Sequence, residues 1–274
     1  MSESMAFHTS GLVHVYRVAG TDVAALRGVD LDVLPGQRVA LLGASGSGKS
    51  TLLTIAAGIV RPSAGTTTVF GTNLGLATQS QLSRLRGGTI GLMLQGASTN
   101  LLLHESAIGN VDWALRGTSR GSREVGAHVL DTGGIAVDGT TVGRMTAAQQ
   151  QIVALAVAMA SRPKLLLADE PTSQLDDDSR DRLLDVLVET TDREGTAVLL
   201  VTHDQAVAER MQRTIHLRDG RIGSEGNATG RFAVIGTDGS IQLPEELRTQ
   251  WEAGALVTVE PAENGELRIR RAQP

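Results

Sequence analysis

The sequence predicts an α/β fold built on a mainly parallel sheet. Apolar runs of strand length alternate with helical patterns, and one such run leads through a glycine-rich loop into a helix. A long stretch of helices and glycine-rich loops interrupts the strand series from about Ser98 to Ala160. The strands expected from the apolar runs are Arg38–Leu42, Thr89–Leu94, Lys164–Ala168, Ala197–Val201 and Arg213–Leu217. Beyond Arg218 the chain becomes polar and rich in glycine, and the short strands after it indicate a second, small and mainly β domain.

Composition limits the functions open to the chain. Of its 274 residues, 41% are hydrophobic and only 2% aromatic, so the core must be largely aliphatic. The net charge of −5 argues against a broad nucleic-acid-binding surface, and the lack of cysteine excludes disulfides and thiolate metal sites. The longest apolar run, Ile152–Ala160, is too short for a bilayer span of about 20 residues. Since the first residues do not resemble a secretory signal, we expect a cytoplasmic protein.

The stretch Gly43–Thr51 is the most specific motif in the chain. It satisfies G-x-x-x-x-G-K-[ST] between a strand-like run and a helix-like run that stops at Gly58, which is the context of a phosphate-binding loop. The glycines let backbone N–H groups surround an anion at a helix N-terminus. Lys49 would reach the β- and γ-phosphates, and Ser50 would ligate Mg²⁺. The residues expected to bind nucleotide in this loop are Gly43, Ser45, Gly46, Ser47, Gly48, Lys49, Ser50 and Thr51.

Two further strand ends carry residues suited to phosphoryl transfer. The run Lys164–Ala168 ends in two carboxylates, of which Asp169 suits the Mg²⁺ shell and Glu170 suits a general base acting on water. Another strand ends at His203, whose imidazole N–H can contact the γ-phosphate. Taken alone, an Asp-Glu pair is usually the start of a loop and a lone histidine is usually structural. The phosphate loop favours the catalytic interpretation of both.

Five signals follow one another in the order typical of a known family. They are the phosphate loop, Gln95, the Asp-Glu pair, Ser173–Asp176 and His203. On these residues the chain resembles the nucleotide-binding subunit of ATP-binding cassette (ABC) transporters over roughly residues 6–222. The amino-acid sequence at Asn100–Leu103 and Ile108–Val111 is most similar to that of the lipoprotein-release and macrolide-export subfamily.

The resemblance implies a particular architecture and set of partners. An ATPase domain of the P-loop NTPase class would span residues 1–222, with a mixed-sheet core and a helical subdomain at about 96–160. ATP and Mg²⁺ would be bound, and a second ATPase subunit would complete the site. The segment 96–140 would touch a transmembrane permease, which would hold the chain on the inner face of the cell membrane.

The resemblance also implies roles for single residues. Tyr16 would stack on adenine, the alternative being a tyrosine that only packs in the core. Gln95 would complete the Mg²⁺ shell and sense the permease. Glu170 would be the catalytic base, His203 the switch histidine, and Asp176 the aspartate that links the two active sites.

One motif departs from the family pattern. Where relatives carry Leu-Ser-Gly-Gly-Gln before a long helix, this chain has a methionine followed by Thr146, Ala147, Ala148 and Gln149. In the family's head-to-tail dimer this segment closes over ATP held by the opposite subunit. Thr146 keeps a hydroxyl that can cap the helix, whereas the alanine methyls restrict φ and would crowd the phosphate. Arginines of the family are also replaced at two later positions, Ile152 and Val157.

Two explanations of this departure remain open. The residues of this chain at the departing motif, Met145–Gln149, are called the signature segment from here on. In a heterodimer, an unlike ATPase subunit would supply an intact Leu-Ser-Gly-Gly-Gln segment to the phosphate loop of this chain. In a homodimer, the alanines would be tolerated or turnover would be slow.

Residues 231–274 form the second expected unit, after a linker at 223–230. Its expected elements are strands at Arg231–Gly236, Ser240–Leu243, Leu256–Glu260 and Leu267–Arg270, and a helix at Pro244–Trp251. The pattern resembles the AbrB-like swapped-hairpin fold, in which two chains interlace and often bind DNA. This segment holds five arginines against seven acidic residues, a net charge of −2, so nucleic-acid binding is disfavoured. We expect a dimerisation clamp that raises the effective concentration of two ATPase subunits.

The sequence therefore predicts the ATP-binding and hydrolysing subunit of an ABC transporter, which drives a separate permease by closing as a dimer. The alternative is a non-transport ABC ATPase with a regulatory or DNA-linked role through its AbrB-like tail. The residues expected to act in catalysis are Lys49, Glu170 and His203, and those expected to hold Mg²⁺ are Ser50, Gln95 and Asp169.

Overall fold

The computed structural model describes residues 5–18, 20–116, 118, 121–227, 230–234, 241, 255–261 and 266–271. The helices are α1 (Lys49–Ala56), α2 (Gln79–Arg86), α3 (Ala107–Leu115), α4 (Arg123–Thr132), α5 (Ala147–Ala160), α6 (Asp177–Glu194) and α7 (Gln205–Glu209). Short 3₁₀ turns lie at Ala97–Asn100 and Val142–Arg144. No helix within the described ranges is both long enough and apolar enough to cross a membrane.

The strands form two large sheets and one hairpin. They are β1 (Phe7–Val18), β2 (Thr21–Val33), β3 (Arg38–Leu42), β4 (Ala64–Val69), β5 (Thr72–Asn73), β6 (Ile90–Met93), β7 (Leu165–Asp169), β8 (Ala197–Thr202), β9 (Arg213–Arg218), β10 (Arg221–Asn227), β11 (Gly230–Ala233), β12 (Val257–Pro261) and β13 (Leu267–Arg271). The first sheet is antiparallel, in the order β2-β1-β4-β5. The second has the order β11-β10-β9-β3-β8-β7-β6, parallel from β9 to β6 and antiparallel at β10 and β11. The predicted α/β fold with a mixed sheet is confirmed. The five strands predicted from apolar runs are present within one residue of their expected bounds.

The inner parallel strands β3, β7 and β8 are almost entirely apolar because both faces of their sheet are covered. On β3, Ala40 and Leu42 belong to the core that contains α3 to α6, whereas Val39 and Leu41 belong to the core shared with α1, α2 and the antiparallel sheet. Side chains alternate between the two faces along a strand, so an unbroken apolar run supplies both cores. Because β3, β8 and β7 are parallel neighbours, their carboxyl ends lie together at one edge of the sheet, where the phosphate loop begins.

Helix α5 runs through the centre of the predicted helical subdomain and is buried on nearly all sides. The position at which relatives carry arginine and this chain carries Ile152 is fully inside the core. Ile152 packs against Gly133, where an added Cβ would clash with the isoleucine side chain. Val157 is partly buried against the same core. The apolar residues at these two positions thus contribute to packing within the subdomain.

The predicted linker at 223–230 is wrong for its first part. Residues 221–227 form β10, which pairs with β9 on one side and β11 on the other. The hairpin between β9 and β10 turns at Asp219 and Gly220, whose φ angles of 49° and 77° match a tight type I′ turn. Arg213 holds Glu225 across the hairpin through two hydrogen bonds of 2.7 and 3.1 Å. This segment therefore belongs to the main sheet.

In the predicted C-terminal unit, the structure describes one hairpin. β12 and β13 pair in antiparallel register, with Val259 opposite Ile269, and both strands lie within one residue of prediction. β11 covers the first part of the strand expected at Arg231–Gly236. The strand expected at Ser240–Leu243, apart from an isolated bridge residue at Ile241, and the helix expected at Pro244–Trp251 lie outside the described residues.

Candidate nucleotide-hydrolysis site

The loop between β3 and α1 has the shape that an oligophosphate requires. Gly48 precedes α1 with a φ of 103°, and a Cβ at this position would lie 2.5 Å from the Ala25 carbonyl oxygen. Gly43 begins the loop, and a Cβ there would clash with the carbonyl oxygen of Leu217. The two glycines let the backbone approach its neighbours closely enough to close a loop at the N-terminus of α1.

Lys49 and Ser47 are polar groups buried inside this loop. The Lys49 ammonium donates hydrogen bonds to the carbonyl oxygens of Gly43, at 2.7 Å, and Ala44, at 3.0 Å. The Ser47 hydroxyl is buried and has no hydrogen-bond partner among the described residues. Lys49 lines the cleft, unlike Ser47, so its ammonium can meet an anionic ligand there.

The described residues offer oxygen ligands suited to Mg²⁺. The Ser50 hydroxyl donates to Asp169 Oδ1 at 3.2 Å, so the end of β7 lies against the start of α1. Burial raises the pKa of Asp169, and the neighbouring charge of Glu170 raises it further, while the Ser50 hydrogen bond and Lys49 act in the opposite direction. A bound cation would lower the pKa of Asp169 again, because a nearby positive charge favours the ionised carboxylate. Hydroxyl, carboxylate and amide oxygens are hard ligands of the kind Mg²⁺ prefers. Gln95 would supply the amide oxygen, since it lines a cleft together with Ser50.

Glu170 follows Asp169 directly and contacts His203. Its Oε2 lies 2.9 Å from His203 Nδ1, and its backbone N–H donates to the carbonyl of Val201 at 2.9 Å. The φ of Glu170 is 47°, in the left-handed region, which costs a non-glycine residue of order 1–3 kcal/mol. Such strain is typical of a position that the surrounding structure fixes for function.

These groups surround one cleft of about 620 Å³. It is lined by Ala25, Ala44, Ser45, Gly46, Gly48, Lys49, Ser50, Thr51, Gln95, Glu170 and His203. All of these residues are predicted from the sequence except Ala44, which lies inside the phosphate-loop motif, and Ala25. Ala25 carries no sequence signal, because it reaches the cleft from β2 of the other sheet.

Tyr16 lies beside the cleft rather than in the core. Its hydroxyl donates to Thr51 Oγ1 at 3.4 Å, and 38% of the residue is exposed. The alternative of a core tyrosine is therefore wrong, since Tyr16 is exposed and its hydroxyl contacts the phosphate loop. Whether adenine stacks on it stays a prediction.

The predicted signature segment and Asp176 do not join this cleft, and the predicted residues Gly43, Ser47 and Asp169 are not among the residues that line it. Thr146 caps α5 in a reciprocal arrangement, with its hydroxyl accepting from Gln149 N–H at 3.3 Å and its own N–H donating to Gln149 Oε1 at 2.9 Å. Asp176 caps α6 by accepting from Ser179 N–H at 2.8 Å, and that hydrogen bond holds its pKa below the ordinary value. Thr146 and Asp176 are exposed, so both can meet a second subunit.

Comparison with known proteins gives a consistent result. A family model described as ABC transporter matches residues 26–173. The chain is 38% identical over 216 residues to the lipoprotein-releasing system ATP-binding protein LolD 2 of Caulobacter vibrioides, covering 77% of this chain and 94% of that protein. It is 40% identical over 234 residues to the corresponding LolD protein of Anaeromyxobacter dehalogenans, covering 82% and 97%.

Longer proteins and solved structures match as well. The macrolide export ATP-binding/permease protein MacB of Syntrophobacter fumaroxidans is 39% identical over 227 residues, which is 80% of this chain but 31% of that longer protein. The dimeric structure of a bacterial ABC transporter cassette, MJ0796, matches with a TM-score of 0.73 and 28% identity over 81% of this chain and 98% of that one. A post-hydrolysis dimer of the same cassette, bound to ADP and Pi, matches with the same TM-score.

Proposed function

The chain belongs to the ABC transporter family, as an ATP-binding subunit that hydrolyses ATP with Mg²⁺, and we propose that it serves a transporter of the lipoprotein-release or macrolide-export type. In this proposal it docks on a separate permease at the inner face of the cell membrane. ABC cassettes dimerise and act on permeases, and the relatives named above are transporter proteins. The non-transport alternative is therefore not favoured.

The transporter type rests on the relatives, whereas the observation that carries the ATPase function is the convergence of Lys49, Ser50, Gln95, Glu170 and His203 on one cleft. The loop N–H groups and Lys49 would hold the phosphates, while Ser50, Asp169 and Gln95 would hold the cation. Bound there, Mg²⁺ would neutralise charge on the β- and γ-phosphates.

Hydrolysis follows from the pair formed by Glu170 and His203. On ATP binding, His203 exchanges its contact with Glu170 for a γ-phosphate oxygen, which releases a carboxylate oxygen for the attacking water. Glu170 takes the water proton as the water oxygen bonds to the γ-phosphorus, and the bond to the β–γ bridging oxygen breaks. Lys49 and His203 stabilise the charge on the transferred group.

Contact with a permease can be tested by cross-linking, because the chain has no cysteine of its own. Trp113 lies on α3 in the predicted contact region and is 48% exposed. We expect Trp113→Cys, carrying a thiol-linked photoreactive group, to cross-link to an integral membrane protein in native membranes. The matched control is Leu76→Cys, which is 82% exposed and outside the helical subdomain. Equal adducts at both positions, or none at Trp113, would contradict the proposal.

The signature segment favours a homodimer on one specific ground. Ala147 and Ala148 are the first residues of α5 and have ordinary helical backbone angles, so this chain does not need glycine φ angles there. The cap uses the N–H groups of Thr146 and Gln149, so those of Ala147 and Ala148 are the ones that can meet a phosphate from a partner. Only the two methyl groups then oppose close approach.

We therefore expect the purified chain alone to hydrolyse ATP, slowly, through a homodimer. Replacing Ala147 and Ala148 together with glycine should raise turnover several-fold because it removes both methyls, although each glycine costs about 1 kcal/mol of helix stability. Steady-state ATPase assays measure the rate, and thermal melts control for folding. An inactive chain that gains activity only with an unlike homologous subunit would support the heterodimer instead.

The C-terminal unit is proposed as a clamp between two copies of the chain. Val257 and Val259 of β12 are exposed, and an isolated two-stranded hairpin is marginally stable without a further partner. Because β11 and Val234 belong to the main sheet, a truncation should remove residues 235–274 and keep that sheet intact. We expect the truncated chain to lose ATP-independent dimers, measured by light scattering. An unchanged dimer would refute the clamp.

A further inference from the structure

The buried side chain of His14 contacts two exposed residues, Tyr16 and Ser63, beside the nucleotide cleft. His14 and Tyr16 lie two residues apart on β1, with ring centroids 4.6 Å apart and ring planes at 82°. His14 is only 7% exposed, whereas Tyr16 is 38% exposed. This is the edge-to-face geometry that aromatic rings prefer.

Ser63 fixes the imidazole in this position. Its hydroxyl lies 3.4 Å from His14 Nδ1 and accepts a hydrogen bond from the Val15 backbone N–H at 3.1 Å. The Ser63 N–H in turn donates to the carbonyl of Val13 at 2.9 Å. The His14 ring is thus connected to the backbone on both sides of its own position, so it has little freedom to reorient.

Tyr16 is consequently restrained at two points. His14 packs against its ring, and Thr51, at the start of α1, accepts a hydrogen bond from its hydroxyl. Tyr16 still has an open aromatic surface next to the phosphate loop. A stacking platform binds a base best when its orientation is set before binding, because less side-chain entropy is then lost.

We propose that His14 is a positioning residue for the nucleotide base: it holds the Tyr16 ring in the orientation that adenine stacks on. The inference rests on the proposed role of Tyr16 in the nucleotide site. It assigns His14 no contact with the phosphates, so its effect must be confined to ligands that carry a base.

The test compares MgATP with magnesium tripolyphosphate, which lacks the base and ribose, in a Glu170→Gln background that prevents turnover. We expect His14→Ala to weaken MgATP binding about three- to tenfold, in line with the strength of aromatic pairs, and to leave tripolyphosphate binding unchanged. His14→Phe keeps an aromatic ring and should restore most of the MgATP affinity. His14→Gln, which keeps a polar partner for Ser63 without a ring, should behave like His14→Ala even if the alanine variant folds poorly. With Glu170 intact, His14→Ala should raise the KM for ATP with little change in kcat.

A double-mutant comparison separates this inference from the role of Tyr16 itself. If His14 acts through Tyr16, His14→Ala should add no further loss to Tyr16→Ala. Equal weakening of both ligands, additive losses, or unchanged MgATP binding in the His14 variants would overturn the inference. If Tyr16→Ala also leaves the ratio of the two affinities unchanged, the stacking role of Tyr16 is wrong as well. If only Tyr16→Ala changes that ratio, the stacking role stands and the assignment of His14 alone fails.

Discussion

Replacing Glu170 with glutamine is expected to reduce ATP turnover about 10²- to 10⁴-fold while ATP still binds. Glutamine has nearly the same shape, so it preserves packing at the strained backbone position and can still contact His203 at the 2.9 Å distance now seen. What it lacks is a carboxylate able to take a proton from water. Steady-state turnover and equilibrium binding of MgATP, measured on the same preparations, separate the two effects.

The chain supplies a matched control for this substitution. Glu189 forms a second Glu–His pair, with Oε1 3.0 Å from His128 Nε2, on α6 and α4 and away from the cleft. Glu189→Gln removes the same charge from the same kind of pair and should leave turnover within about a factor of two, as expected for an exposed pair. Turnover of Glu170→Gln within a few-fold of the unmodified chain would exclude Glu170 as the base.

The main sheet was predictable because burial on both faces imposes unbroken apolar runs. β3, β7 and β8 contain almost no polar residues before their carboxyl ends, so their positions and the order of site residues after them follow from the sequence. The phosphate loop was equally accessible, since the constraints on Gly43 and Gly48 are steric and local. Both constraints act on residues close together in the chain, so they can be recognised in the sequence as apolar runs and glycine positions.

Features that depend on distant contacts were not predictable in this way. Ala25 joins the cleft only because β2 of the antiparallel sheet passes Gly48. The linker predicted at 223–230 is a strand because Asp219-Gly220, a pair that favours a tight hairpin, turns the chain back onto β9, although the glycines of β10 resemble a flexible segment. Pairing with β9 and β11, together with the ion pair between Arg213 and Glu225, decides that conformation.

The signature segment shows how structure changes the meaning of a sequence difference. From sequence, alanine in place of glycine suggests a restricted backbone and a crowded phosphate, and Ile152 suggests a lost charge. In the fold, Ala147 and Ala148 are ordinary helical residues and Ile152 fills space left by Gly133. What remains of the sequence difference is the volume of the two alanine methyl groups, which the turnover of the double glycine variant tests.

Replacing Lys49 with alanine is expected to weaken MgATP binding by about 10²-fold or more. The ammonium is buried and bonded to the carbonyls of Gly43 and Ala44, and it is the one cation among the residues that line the described cleft, setting aside the titratable His203. Hydrogen bonds to charged groups are worth about 1.5–3 kcal/mol each, and 1.4 kcal/mol corresponds to a tenfold change in affinity. Equilibrium binding of MgATP, with turnover as a second measurement, provides the test.

The loss should be specific to this lysine, and the chain contains a single other one, Lys164. Lys164 lies over the Phe70 ring at 5.5 Å, remote from the phosphate loop, so Lys164→Ala is the control for removing a positive charge. We expect Lys164→Ala to change the MgATP affinity of the chain by no more than about twofold, because an exposed charge remote from the phosphates is screened by water and salt. Lys49→Ala also leaves two loop carbonyls without their donor, so a thermal melt without nucleotide should show a small destabilisation. Near-normal MgATP affinity in Lys49→Ala would mean that the backbone of the loop alone holds the phosphates.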